Sequence, residues 1–321
     1  MKKIVLILIC FLQLNLIFAA SAKYESENYN LNIRYNDVIT PGDAIFVRMN
    51  ISLPKNHKKA KGEPEKKATL QLLQDKKVIE SAAFYPLKTK SNSTEMLCGI
   101  PVSLWLKEGN YSIKVIYADS ESDIKEFILP SRLQMRTFPE EVIQLDAKNT
   151  SIKTDNSPER AAQIDKLNNI LFTTMPSDIF SLKKFTTPTE SQRYTAYCGD
   201  RRTYAYSNGK SSTSLHYGND YGVPTGTEVR SCAAGKVVMA ESRISTGWSV
   251  VVEHLPGLYS LYYHMSELSV KEGDMVNQGQ LLGKSGATGL ATGPHLHWEV
   301  RLNGSAVKPE FFLSDFTFEE D

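Results

Sequence analysis

Excess charge of either sign is missing. The 321 residues carry 37 lysines and arginines against 36 acidic residues, a net +1. That excludes the basic footprint needed to wrap nucleic acid. Cysteine is scarce: there are four, none in a CxxC spacing, which removes a cysteine-based metal site from consideration. After the first 22 residues no long apolar run appears, so no later segment has the ~20 residues a membrane-spanning helix needs. Histidine is almost missing from the first two thirds, where His57 stands alone; five of the six histidines lie between His216 and His297. Glycine is skewed the same way, with 15 of 19 between Gly199 and Gly304. What remains is 41% apolar and 23% charged, a globular composition long enough for roughly two domains. Any chemistry is expected in the histidine- and glycine-rich C-terminal third.

Residues 1–22 read as a secretory signal peptide. Lys2 and Lys3 open it, Ile4 to Leu12 form the apolar stretch, and Ala20, Ser21 and Ala22 supply small residues for cleavage before Lys23. Cys10 follows Ile9 rather than a small residue, which argues against lipid attachment. Cleavage leaves 35 basic and 36 acidic residues, and three cysteines, Cys98, Cys198 and Cys232. Either Cys198 and Cys232 bridge in an oxidising compartment, or all three are buried thiols. The expected location is exported: periplasmic, envelope-associated or extracellular.

The expected fold is all-β in two parts joined by a connector. In residues 23–130, Ile45, Val47, Met49 and Ile51 alternate with Phe46, Arg48 and Asn50, the period of a half-buried strand. Tyr111, Ile113, Val115 and Tyr117 repeat it, and Ala68 to Leu73 and Lys77 to Phe84 flank a turn at Asp75-Lys76. Short strands at this spacing indicate an immunoglobulin-like β-sandwich. Lys55 to Lys67, with six lysines, reads as a solvated loop, the alternative being a surface for an anionic polymer. Residues 131–190 read as a polar, proline-broken connector. One helix is expected near 158–172, started by Ser157 and Pro158, with Ile164, Leu167 and Leu171 on one face. Residues 191–316 are short apolar strands between glycines, and 317–321 an acidic tail.

Three motifs in the C-terminal part carry candidate chemistry. His216 and Asp220 flank Gly218 and Asn219, which disfavour helix, so a strand entering a turn is the better picture. His295 and His297 are two apart; on a strand both imidazoles face one side while Leu296 faces the core. His264 ends the run from Tyr259. Two histidines and one carboxylate are the ligand set of a catalytic zinc with an open position. His216, Asp220 and one of His295 and His297 fill that set, leaving two imidazoles for proton handling. His57 and His254 read as bland, the latter because it precedes the turn at Leu255-Pro256-Gly257.

The blocks from His216 to Thr227, Ala234 to Val237, Tyr263 to Ser266, Val270 to Gly279 and Gly286 to His297 together resemble the M23 (LytM/lysostaphin-type) zinc metallopeptidase family, over about Ala196 to Phe312. Cys198 to Arg202 resembles the segment that leads to the family's first ligand. The resemblance implies a small β-sheet domain of duplicated hairpins and endopeptidase activity on the peptide cross-links or stems of peptidoglycan. It implies that His216, Asp220 and His297 hold Zn2+, with His264 and His295 as the catalytic pair, and that an upstream tyrosine, Tyr204 or Tyr206, stabilises the oxyanion. Asn219 departs from the family's usual apolar residue. The alternative is a catalytically silent LytM-like wall-binding or hydrolase-regulating protein; retention of all five functional positions disfavours it.

Overall fold

The computed structural model describes residues 20–54, 67–120, 123–314 and 318. Most of the signal-peptide segment, the lysine-rich loop with His57, and most of the acidic tail therefore lie outside the described residues. The chain divides into two compact units, 1–135 and 136–321, and it is all-β in character with three helices among the described residues.

The first unit is two antiparallel sheets over a common core. One runs, in order, Ala20–Glu25, Asn30–Tyr35, Ala44–Ser52, Ser93–Pro101, Tyr85–Lys90; the other runs Asp123–Leu129, Tyr111–Ser120, Lys67–Gln74, Lys77–Ala83. Alternate residues of each strand meet between the sheets: Ile33, Val47 and Cys98 from one, Leu70, Val115 and Phe127 from the other. The Asp75-Lys76 hairpin closes with Asp75 in the left-handed region, φ 54°, which a short aspartate tolerates. Ala44–Ser52 departs from simple alternation, because Phe46 and Arg48 on its outer face are buried too. Phe46 lies where a Cβ on Gly99 would sit, 2.3 Å away, and Arg48 pairs with Glu95 on the neighbouring strand.

The second unit absorbs most of the expected connector. Residues 131–135 belong to the first unit, where Arg132–Leu133 pairs in parallel with Val38–Ile39; residues 136–190 belong to the second. There Glu140–Gln144 pairs in parallel with Arg201–Ala205, which pairs antiparallel with Ser211–Leu215. The helices are α1 (Ala147–Thr154), α2 (Pro158–Leu171) and α3 (Pro309–Leu313). Ser157 caps α2 by accepting the Arg160 N–H, and Pro158 occupies the first turn. The buried face of α2 is Leu167, Ile170 and Leu171, packed with Met239, Val251, Tyr259, Leu261 and Tyr263. Ile164, expected on that face, is exposed. At that end the helix docks by polar contacts instead: Gln163 accepts from Ile244 N–H and from Arg243.

The main sheet of this unit runs Tyr194–Ala196, Gly218–Tyr221, Leu296–Leu302, Leu258–Leu268, Gly247–Leu255, Gly235–Arg243, Met275–Val276. Cys98, Cys198 and Cys232 are all free and buried, so the two-cysteine bridge does not form and burial pushes each thiol pKa upward.

Leu171 is 2% exposed in this apolar cluster. Leu171→Ala is expected to lower the stability of the full chain by about 2–5 kcal/mol, read by chemical denaturation. An unchanged midpoint would show that α2 is not part of the unit's core.

Candidate metal centre

Backbone pairing brings the C-terminal motifs together. Gly218–Tyr221 runs antiparallel to Leu296–Leu302 with Asp220 directly opposite His297, so the two side chains share one sheet face. The approach is close at Gly218, where a Cβ would meet the Trp298 carbonyl at 2.4 Å. His216 sits just before this strand, its backbone N–H donating to the Asp200 carbonyl and its own carbonyl accepting from Gly199. Leu296 and Trp298 take the opposite, fully buried face.

Three donor atoms converge on this face. His216 Nε2 lies 2.9 Å from His297 Nδ1 and 3.1 Å from Asp220 Oδ1, and His297 Nδ1 lies 2.7 Å from Asp220 Oδ1. Among the described residues His216, Asp220 and His297 are the one set of three such side chains whose ligand atoms all lie close enough together to hold a metal ion. Each donor is oriented from behind. His216 Nδ1–H donates to the Tyr197 carbonyl at 3.0 Å, which frees Nε2. His297 Nε2–H donates to Glu299 at 3.0 Å, and Arg301 holds the other oxygen of Glu299 at 2.6 Å. Arg202 donates to Asp220 Oδ2 at 3.1 Å and also pairs with Glu141. The Tyr263 ring lies parallel to the His297 imidazole, centroids 5.5 Å apart. Fixed tautomers with a partner behind each ligand are what a divalent-ion site requires, and the donor set fits one.

The electrostatics follow from burial opposed by pairing. Burial alone would raise the Asp220 carboxyl, but His216 and His297 outweigh it and hold it well below the usual carboxylate range. Burial pulls His297 down, while hydrogen bonding and charge from Asp220 and Glu299 carry it up to about 9. Glu299 is likewise brought down to about 2, the Arg301 guanidinium overcoming burial.

The other two imidazoles stand beside this triangle. His264 lies at a bulge in Leu258–Leu268, where the pairing to Gly247–Leu255 shifts register between Tyr262 and Met265. Its φ is 60°, a strained backbone for a histidine of the kind found at functional sites. Its Nδ1–H donates to the Thr288 carbonyl at 2.8 Å. Burial, then the charges of His295 and His297, lower it to about 3, so the ring stays neutral. The His295 and His264 ring centroids are 4.7 Å apart, and His295 Nε2 lies 3.7 Å from Asp220 Oδ1. His295 Nδ1–H donates to the Gly293 carbonyl at 2.9 Å.

His254 lies elsewhere, buried between Ala234 and Ser260 with its pKa lowered to about 4 by burial. Asn219 faces away from the site: its Oδ1 accepts the Cys198 N–H at 2.9 Å. The Tyr206 hydroxyl bonds Ser212. Tyr204, two residues from Arg202 on one strand, shares the site-facing side with it. Glu299 and Arg301 were missed in sequence although the i, i+2 rule that paired His295 with His297 reaches them. Arg202 and Glu141 had no local signal.

Residues 214–309 match Peptidase family M23, and the second unit carries a domain of that family. Over 95 residues the chain is 43% identical to the DD-carboxypeptidase/endopeptidase Mpg of Neisseria meningitidis, covering 30% of this chain and 22% of that protein. Over 92 residues it is 41% identical to the peptidoglycan DD-endopeptidase ShyA of Vibrio cholerae, covering 29% and 21%. The chain thus spans about a fifth of the length of these relatives. A solved Pseudomonas aeruginosa structure, assigned provisionally to peptidase M23, shares the fold at a TM-score of 0.53 and 21% identity, covering 87% of this chain and 96% of that one.

At pH 7 His297 carries a proton that an ion must displace, because its pKa of about 9 lies above the solution pH. Divalent-ion uptake at pH 7 is expected to release about one proton per ion, and less as pH rises through about 9. Titration calorimetry in buffers of different ionisation enthalpy reads this directly. Uptake with no proton release at pH 7 would contradict the assignment of His297 as a ligand.

Proposed function

We propose that the chain is an exported, zinc-dependent endopeptidase acting on the peptide stems or cross-links of peptidoglycan. The observation that carries this reading is the convergence of His216, Asp220 and His297 within 3.1 Å of one another, beside two further imidazoles. The peptidoglycan substrate rests on the family match and on the activities for which the Neisseria and Vibrio relatives are named. Export rests on the signal-peptide pattern of residues 1–22. Among the described residues no helix is long and apolar enough to cross a membrane.

His216 Nε2, Asp220 Oδ1 and His297 Nδ1 would hold the zinc. When bound, zinc acidifies water and polarises the scissile carbonyl. The neutral His264, with Nδ1–H tied to Thr288, presents Nε2 as the acceptor for the proton of the attacking water. His295, with Nδ1–H tied to the Gly293 carbonyl and Nε2 turned toward Asp220 Oδ1 at 3.7 Å, is the second imidazole of the pair, placed to handle the proton that passes to the departing amine. Of the two upstream tyrosines, Tyr204 is the candidate donor to the developing oxyanion, since it stands on the same strand face as Arg202 while Tyr206 is engaged by Ser212. Glu299 and Arg301 hold His297 in place, and Arg202 with Glu141 holds Asp220.

Two variants separate the roles. His264→Ala is expected to retain one zinc per chain and lose hydrolysis of purified peptidoglycan by about 100-fold or more. His297→Ala is expected to lose the zinc as well. Elemental analysis beside an assay for new amine ends distinguishes them, and loss of zinc from His264→Ala to the same degree would overturn the assignment.

A further inference from the structure

The site-facing side of the three-stranded sheet carries positive charge that the candidate metal centre does not use. Lys153, in the last turn of α1, sets its ammonium 4.2 Å from the centroid of the Tyr204 ring. The side chain is partly buried, and burial with the nearby Arg160 and Arg202 guanidiniums lowers its pKa. Those guanidiniums are otherwise engaged: Arg202 by Asp220 and Glu141, Arg160 by Ser245 Oγ at 3.1 Å and the Asp155 carbonyl. Among the described residues no carboxylate forms an ion pair with Lys153. A partly desolvated ammonium on an aromatic face, with two cations near it and no counter-ion, gains from a bound anion.

The surroundings of α1 tie the helix to segments that lead into the cluster. Thr150 Oγ1 accepts the Ser207 N–H at 3.0 Å, on the turn that joins Arg201–Ala205 to the strand before His216. Asn149 Nδ2 donates to the Ala291 carbonyl at 3.3 Å, in the loop that leads to His295. The helix therefore touches segments leading to both His216 and His295, and Lys153 looks onto the tyrosine that flanks Arg202.

Resting on the endopeptidase reading, we propose that Lys153, with Arg160 behind it, is a specificity-determining contact that binds a free carboxylate of the peptide being cut. The stem peptides of a wall polymer carry two sources of that group, a chain-terminal carboxylate and side-chain carboxylates. A lysine reads either as a compact point charge rather than a bidentate fork. The contact holds substrate and transition state alike, so it acts on KM rather than kcat.

The test uses a synthetic cross-linked stem-peptide dimer with free carboxylates and two twins, one amidated at the chain terminus and one at the side chain. Binding is measured by calorimetry on the metal-loaded His264→Ala full chain, with and without Lys153→Met, and hydrolysis on chains with native His264. Lys153→Met is expected to weaken binding of the acid about ten-fold and raise its KM with kcat held. It is expected to leave one amidated twin unaffected, which identifies the carboxylate. Lys153→Arg should restore part of the loss, and Lys153→Gln gives a second neutral variant should the methionine disturb folding. Equal losses for the acid and both amides, or no loss at all, would overturn the proposal. Carboxylate-dependent binding by a chain that cuts none of the three peptides would overturn the endopeptidase reading and leave the contact standing.

Discussion

A buried carboxylate has to be neutralised, and Asp220 is that carboxylate. Its side chain is 9% exposed, where an unpaired charge would cost several kcal/mol. Four groups answer it: His216 and His297 on one oxygen, His295 3.7 Å from the same oxygen, and Arg202 on the other. These come from different segments, so the charge draws together the strand at Arg201–Ala205, His216 two residues before Gly218–Tyr221, and the segment that runs from His295 into Leu296–Leu302. Arg202, itself 12% exposed, needs a second counter-charge and takes Glu141 from the parallel strand Glu140–Gln144. Removing one partner from such a buried pair typically costs about 3–5 kcal/mol, so the arrangement is held as a unit.

That requirement explains why the stretch expected to be a connector is built into the second unit. Glu140–Gln144 adds a strand, supplies Glu141, and leads into α1, whose Thr150 and Asn149 tie to the turn at Ser207 and the loop at Ala291. The helix after it buries Leu167, Ile170 and Leu171 against Tyr259, Leu261 and Tyr263, on the face of the main sheet that also bears His297. Three side chains whose polar atoms lie within about 3 Å of one another tolerate little drift if they are to hold an ion, and these additions fix the walls around them.

Much of the site could be read in sequence because its core motifs are local. His295 and His297 obey the two-residue strand period, and His216 and Asp220 lie four residues apart across the start of one short strand at Gly218. The same period would have reached Glu299 and Arg301. His264 could be flagged but not explained, since its aim depends on a bulge and a φ of 60° that no spacing reveals. Arg202 and Glu141 were invisible for a different reason: their partners lie 18 and 61 residues away, across a hairpin and a parallel pairing. In the first unit, the alternating strands were legible. The burial of Phe46 and Arg48 was not, because it depends on Gly99 and Glu95 arriving from the neighbouring strand. The α2 helix was legible from its cap, whereas the exposure of Ile164 reflects a polar docking contact with the hairpin at Arg243 and Ile244.

The proposed role of this buried cluster, once loaded with metal, is to cut peptide bonds in peptidoglycan. Mass spectrometry of muropeptides after incubation of purified peptidoglycan with the zinc-loaded chain, beside a chelated control, tests it most directly. Cross-linked or full-length stem species are expected to decline, and shorter peptides with new amine ends to appear, only in the loaded sample. An identical muropeptide profile in both samples, with zinc verified at one per chain, would contradict it.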